Sequence, residues 1–253
     1  MSTEAWQIAL LLFVLMVLCT FVGRRIGNRV KIRAKEHDKF SETAGLTGLL
    51  FFLLAFTFGM SGSRYDARRS IVIEEANDIG TAILRADLYP DTLRGLFRND
   101  FKEYVEARIA YYEAGADVQG ILAAHNLSQV ISQRLWVRAS TLAKDPAYLA
   151  ATQQMIPALN TMIDVTTTRL AGEKAKVPES ILMMLFFLAL ISAFYSGYTA
   201  GRKGAIDWLV EVGFCLLVCL VVLFTLDLDR PRRGFVTMDG PHQVIVELRN
   251  VFE

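Results

Sequence analysis

The chain has 253 residues, 53% of them hydrophobic, and a formal net charge of +1. That near-neutral balance excludes a strongly basic nucleic-acid binder, which carries a surplus of Lys and Arg. The apolar share exceeds the ~45–50% usual in soluble domains, and it is gathered into four long runs, the pattern of a membrane protein.

In chain order, residues 8–22 form a nearly unbroken apolar run, preceded by Trp6 and closed by Arg24 and Arg25. An interfacial Trp and a charged stop suit the two ends of a span. Glu4 stands ahead of the run and no Lys or Arg does, which favours a retained helix over a secretory signal. The second run, 44–60, is at the short limit for a span. The third opens at Pro178, with Pro at a first-turn position, and covers 181–200. The fourth covers 205–226 and stops at Asp227. The link 201–204 is so short that these last two runs form an antiparallel hairpin. Hydrocarbon offers the backbone no water, so all four runs are predicted as helices.

Between the second and third runs, residues 63–177 read as helix throughout. Tyr65, Val72, Ala76, Ile79 and Ile83 keep helical spacing beyond the second span, so that span is predicted to continue as one rod until Pro90 ends it. A second helix, 91–114, places Leu93, Phe97, Phe101, Tyr104, Val105 and Ile109 on one stripe, with Asp91 or Thr92 as N-cap and Gly115 just past its end. A third covers 118–142. A fourth covers 147–170, with Pro157 expected to kink or break it. The tail contains VIVEL at 244–248, readable as a short strand or as a segment lying on the domain. The predicted fold is an all-α membrane protein: spans one and two with a basic loop (1–62, loop 24–42), an inserted helical soluble domain (63–177), spans three and four (178–226) and a tail (227–253).

No catalytic constellation is visible. His37, His125 and His242 lack metal-ligand spacing, and there is no Gly-rich phosphate loop, so the sequence predicts no enzyme and no cofactor. Cys19, Cys215 and Cys219 all lie in apolar runs, which leaves the soluble domain without a disulfide framework. Cys215 and Cys219 share a helix face, but with no acid or His beside them they read as lipid-facing or packed thiols, and no metal is expected. Glu74, Glu75 and Asp78 form an acidic cluster that reads either as a solvated or salt-bridged helix face or as an ion site.

Three features carry sharper alternatives. Phe51, Phe52, Phe56 and Phe58 crowd the second span, with Phe52 and Phe56 on one face. They suit lipid contact or helix packing; in an oligomer, they suit rings that gate a pore by dewetting. Asp207 and Glu211 lie one turn apart at the start of the fourth span. A carboxylate inside a span is costly and should face protein or water, with Arg202 or Lys203 as a basic partner; the other reading is an interfacial helix-start acid. Arg64, Arg68 and Arg69 stand at the membrane end of the rod and suit either lipid headgroups or a positive pore mouth. Small residues at span ends (Gly45, Gly48, Gly59, Gly62, Gly197, Gly201, Gly204) favour close helix approach.

The stretch 53–88, LLAFTFGMSGSRYDARRSIVIEEANDIGTAILRADL, and LDRPRRGF at 228–235 together resemble a bacterial family with a bestrophin-like domain, and more distantly the bestrophin channels. Tyr65, Asp66, Glu75, Asn77, Asp229, Pro231 and Gly234 carry the resemblance; the tryptophans that follow Tyr-Asp in bestrophins are missing here. The resemblance implies a homo-oligomeric, pentameric ion channel, anion-preferring, in the bacterial inner membrane. Phe52, Phe56 and Gly59 of the second span would form the constriction, and Arg64, Arg68 and Arg69 the charge at its mouth. Its implied partners are the lipid bilayer, further copies of itself and small inorganic ions, not nucleic acid. The basic loops 24–42 and 201–204 lean toward an external domain by the positive-inside rule, whereas the resemblance implies a cytoplasmic one. The competing expectation is a non-conducting, membrane-anchored interaction or sensor protein.

Overall fold

The computed structural model describes residues 5–30, 38–204, 206–230, 232 and 234–253. His37, Pro231 and much of the basic loop 24–42 lie outside the described residues. Those residues form α1 (Ala5–Arg29), α2 (Asp38–Ala86), α3 (Asp91–Glu113), α4 (Val118–Leu142), α5 (Leu149–Lys174), α6 (Glu179–Lys203), α7 (Trp208–Leu228) and α8 (Asp239–Glu247). Short 3-10 turns cover Pro146–Tyr148 and Leu248–Phe252, and no strand occurs among the described residues. The segment VIVEL is therefore helical, not extended. Four helices are long and apolar enough to cross a membrane, which makes this an all-α membrane protein.

The chain divides into two compact units: Met1–Arg64 with Lys176–Arg230, and Tyr65–Ala175 with Pro231–Glu253. Helix α2 passes from the first to the second without a break.

In the membrane unit, α1 buries Ala5, Ala9, Leu12, Met16, Thr20, Gly23 and Gly27, a stripe with helical period. Its C-terminal half meets α6 through glycines from both sides. A Cβ on Gly23 or Gly27 would run into the carbonyl oxygen of Phe194 or Tyr198, and one on Gly197 or Gly201 into that of Thr20 or Arg24. Two small-xxx-small pairs thus let the backbones touch, the device by which helices associate where hydrocarbon supplies no hydrophobic drive. A Cβ on Gly45, Gly48, Gly59 or Gly62 would find open space among the described residues. Leu50 and Leu54 of α2 join Met16, Leu185, Ala189, Cys215 and Val218 in the unit's core. Cys219 Sγ lies 4.0 Å from Met16 Sδ, as a packed thiol. Pro178 is the N-cap of α6 rather than a first-turn residue.

In the helical unit, Val72, Ala76, Ile79 and Ile83 of α2 pack with Phe97, Phe101, Tyr104 and Val105 of α3, Ile131 and Leu135 of α4, Met155 and Leu159 of α5, and Ile245 of α8. The tail thus supplies core residues. The α3 N-cap is Pro90, with no side-chain capping bond; Asp91 lies inside the first turn, where its charge suits the helix dipole. Gly115, at φ +53°, takes the left-handed position that ends α3. Asp117 then caps α4 by accepting from the amides of Gln119 and Gly120. Pro157 lies within α5 without ending it.

Candidate functional site

The face of α2 within the membrane unit is split. Leu50, Leu54, Thr57 and Ser61 are buried, at spacings that keep one side of the helix. Phe52, Phe56 and Gly59 share another side and are left uncovered, with Phe52 66% and Phe56 56% exposed. Phe51 packs edge-on against Phe214 of α7, with centroids 5.9 Å apart. The two phenylalanines expected at a constriction are thus side chains that this chain's own helices do not cover.

Glu211 lies in the first turn of α7, half-buried. Its carboxylate accepts from Ser196 Oγ at 2.8 Å and lies 3.3 Å from Thr20 Oγ1, which is itself 3.2 Å from the Ala193 carbonyl. Hydroxyl donors from α1 and α6 hold it, and of the two basic partners expected, Arg202 or Lys203, Arg202 places its guanidinium over the Tyr198 ring. Asp207 is the α7 N-cap and accepts from the amides of Leu209 and Val210.

Arg64 and Asp229 come together in the same unit, 3.9 Å apart. Both carboxylate oxygens of Asp229 accept from the Val177 amide, at 3.1 and 3.0 Å. The two stretches that carry the family resemblance, far apart in sequence, thus meet. In the helical unit the Tyr65 hydroxyl donates to the carbonyl of Thr237, just past the second stretch, at 3.3 Å. Asp66, Arg69 and Asn77 are exposed, and Gly234 holds φ +127°, which a side chain would strain.

Glu75 does not belong to a solvated acidic face. It is fully buried, while Glu74 is exposed. Arg108 Nε of α3 donates to Oε1, and Arg169 Nη1 of α5 donates to Oε2 at 2.5 Å. Burial opposes ionisation, but the guanidiniums of Arg108 and Arg169 outweigh it and hold the Glu75 carboxyl below its usual range. Burial likewise opposes the charge on Arg108, and Glu75 more than restores it.

The charged cluster extends around Tyr111. Arg232, Arg108 and Arg169 lie 4.3, 4.6 and 5.3 Å from its ring centroid, so the electron-rich face carries part of the compensation for three cations. The Tyr111 hydroxyl donates to Glu173 Oε2 at 3.1 Å, and Arg232 Nε donates to the same oxygen at 3.0 Å. Nearby, His242 is buried and stacked on Tyr112 at 4.1 Å. Burial, reinforced by Arg169, lowers its imidazole to about 4, so it is neutral at physiological pH. His125 lies 6.2 Å from the Tyr111 ring. No group of three or more His, Cys, Asp or Glu that could hold a metal occurs among the described residues.

Sequence reasoning missed Arg108, Tyr111, Arg169, Glu173 and Arg232. A signal was present. Arg108 continues the apolar stripe of Phe97, Phe101 and Tyr104, Arg169 that of Met155, Leu159 and Met162, and Glu75 that of Val72 and Ile79. One acid and two bases on the apolar faces of three helices predict a buried ion network, because an isolated buried charge is too costly to keep.

The family model described as Bestrophin-like domain matches residues 10–239, and the chain belongs to that family. No curated protein and no solved structure matches it.

Proposed function

From that membership, we propose that the protein is a homo-oligomeric, anion-preferring ion channel whose pore is lined by the uncovered face of α2. The observation that carries the reading is the contrast along this one helix. Leu50, Leu54, Thr57 and Ser61 are buried by the chain itself, whereas Phe52, Phe56 and Gly59 are not. Four spans in one chain are too few to surround a wide pore, so copies must assemble, with pentamers the number that the resemblance to bestrophins implies. Rings of Phe52 and Phe56 would then form a constriction that gates by dewetting. Arg64, Arg68 and Arg69 would give the mouth a positive field that favours anions.

The test is the mass of the purified particle in detergent, followed by conductance in a planar bilayer under asymmetric salt. An oligomer with discrete currents reversing toward the anion potential is the expected result. A monomer, or a folded oligomer silent across pH and calcium conditions, would favour the membrane-anchored interaction or sensor protein.

A further inference from the structure

Glu211 is a carboxylate in a membrane-spanning helix, and none of the ion pairs among the described residues includes it. The charged groups of the elements around it stand elsewhere. Arg24 of α1 lies over the Trp208 ring, 5.6 Å from its centroid, and Arg202 of α6 lies over that of Tyr198. Lys203 is exposed at the end of α6, and Asp207 is exposed and caps α7. A carboxylate in a span is costly unless something compensates it.

Five oxygens from three helices meet at this point: both of Glu211, the hydroxyls of Thr20 and Ser196, and the Ala193 carbonyl. Their hydrogens do not suffice. Ser196 gives its proton to Glu211 Oε2 at 2.8 Å. Thr20 has one proton and two acceptors, the Ala193 carbonyl at 3.2 Å and Glu211 Oε1 at 3.3 Å. Both distances exceed the ~2.5–3.0 Å of an ordinary O–H···O bond. Whichever oxygen the proton serves, the other faces a lone pair of Thr20. The Cys215 thiol beside Thr20 is a weak donor and brings no charge. One turn toward the middle of the span, on the Ser196 face of α6, the Ser192 hydroxyl is 3% exposed and has no hydrogen-bond partner.

A small cation resolves the shortage, because it accepts lone pairs from every side and leaves the Thr20 proton to the Cys215 sulfur. Ions the size of Na⁺ or Ca²⁺ sit about 2.3–2.6 Å from oxygen, so neighbouring ligand oxygens in an octahedral shell lie about 3.2–3.7 Å apart. The two Thr20 contacts have that spacing. K⁺ is larger and needs a wider shell. One carboxylate balances a single charge, and no group of three or more acids, His or Cys that could hold a metal occurs among the described residues, which favours a monovalent ion. Glu211 is half-buried, so the remaining coordination positions open toward solvent.

We infer that Thr20, Ala193 and Glu211 form a binding site for a single sodium ion at the junction of α1, α6 and α7. Glu211 Oε1, Thr20 Oγ1 and the Ala193 carbonyl hold the ion, and Ser196 fixes the carboxylate through Oε2. The ion ties three helices together, so the membrane unit's stability follows sodium concentration. The site includes no residue of α2, and its occupancy does not depend on conduction.

The experiment melts the full chain in detergent in sodium, potassium or N-methylglucamine chloride at constant ionic strength, at a pH where carboxylates are ionised. A saturable rise in the unfolding midpoint in sodium alone is expected, and equilibrium binding of radiolabelled sodium should reach one ion per chain. Glu211→Gln should abolish both, and Thr20→Val should weaken the apparent affinity severalfold. An equal response to sodium and potassium, or an equal sodium effect in Glu211→Gln and the wild type, would overturn the proposal. So would a midpoint that follows pH but not sodium, which would leave Glu211 a proton site only. If Glu211→Gln does not fold, sodium selectivity in the wild type and its weakening in Thr20→Val decide.

Discussion

The same residue type has opposite fates in the two units. In the helical unit Phe97 and Phe101 are fully buried; in the membrane unit Phe52 and Phe56 are side chains left outside. The difference follows from the solvent. In water, burying a phenylalanine is strongly favourable and fills a core. In lipid it gains little, so helices there select partners by backbone fit, as Gly23 and Gly27 do against Gly197 and Gly201. An aromatic that its own chain leaves more than half exposed is then available for a second copy or a pore. The helical unit, with hydrophobic burial as its drive, instead carries a buried ion network through its core. The membrane unit is specified by shape and the helical unit by charge.

That contrast can be broken from either side. The largest effect is expected from Glu75→Gln, which leaves Arg108 and Arg169 buried without their shared counter-charge. A loss of about 3–5 kcal/mol is typical when one partner of a buried pair is removed, and it should appear as an earlier unfolding transition and faster proteolysis within residues 65–175. Replacing Glu75, Arg108 and Arg169 together with Met should recover most of that loss, because no orphan charge remains.

Next comes Gly197→Leu, whose side chain meets the Thr20 backbone rather than a flexible group. A loss of about 1–3 kcal/mol or more is expected for such overpacking. It should loosen α1 from α6, read by cross-linking of cysteines placed on those helices, and leave the helical unit's protease resistance unchanged.

The smallest effect is graded with pH. His242 is lowered to about 4 in the folded chain from an ordinary 6.5, so the unfolded chain binds more protons between these values. Stability contributed by its neutral form is therefore complete above about pH 6.5 and is lost as pH falls toward 4. Glu75, also lowered, adds a further loss below the unfolded carboxyl value of about 4.3. Thermal melts from about pH 8 to 4 should decline over this range, and His242→Gln should flatten the part between 6.5 and 4.

Much of the architecture was legible because it rests on local pattern. Apolar runs marked the spans, and α4 occupies 118–142 as its periodicity predicts. The continuity of α2 followed from apolar spacing that does not change at Ser63. VIVEL was ambiguous because a short apolar run suits either period; its helical state is fixed by docking of Ile245 into the core. The glycines of α6 were visible as close-approach residues, but their partners Gly23 and Gly27 were not, since pairing between distant helices leaves no local trace. The same holds for Glu75. Reading it with the exposed Glu74 and the half-buried Asp78 hid its place on the apolar stripe, and its partners lie on α3 and α5.

The central claim is that the uncovered face of α2 lines an ion pathway. It is tested most directly by recording currents from a Phe52→Cys channel in a planar bilayer while adding a charged, membrane-impermeant thiol reagent, with the wild type as control for Cys19, Cys215 and Cys219. The account predicts block or a changed conductance in the variant alone. Currents in Phe52→Cys that persist unaltered, with complete modification of the introduced thiol verified by mass spectrometry, would contradict it.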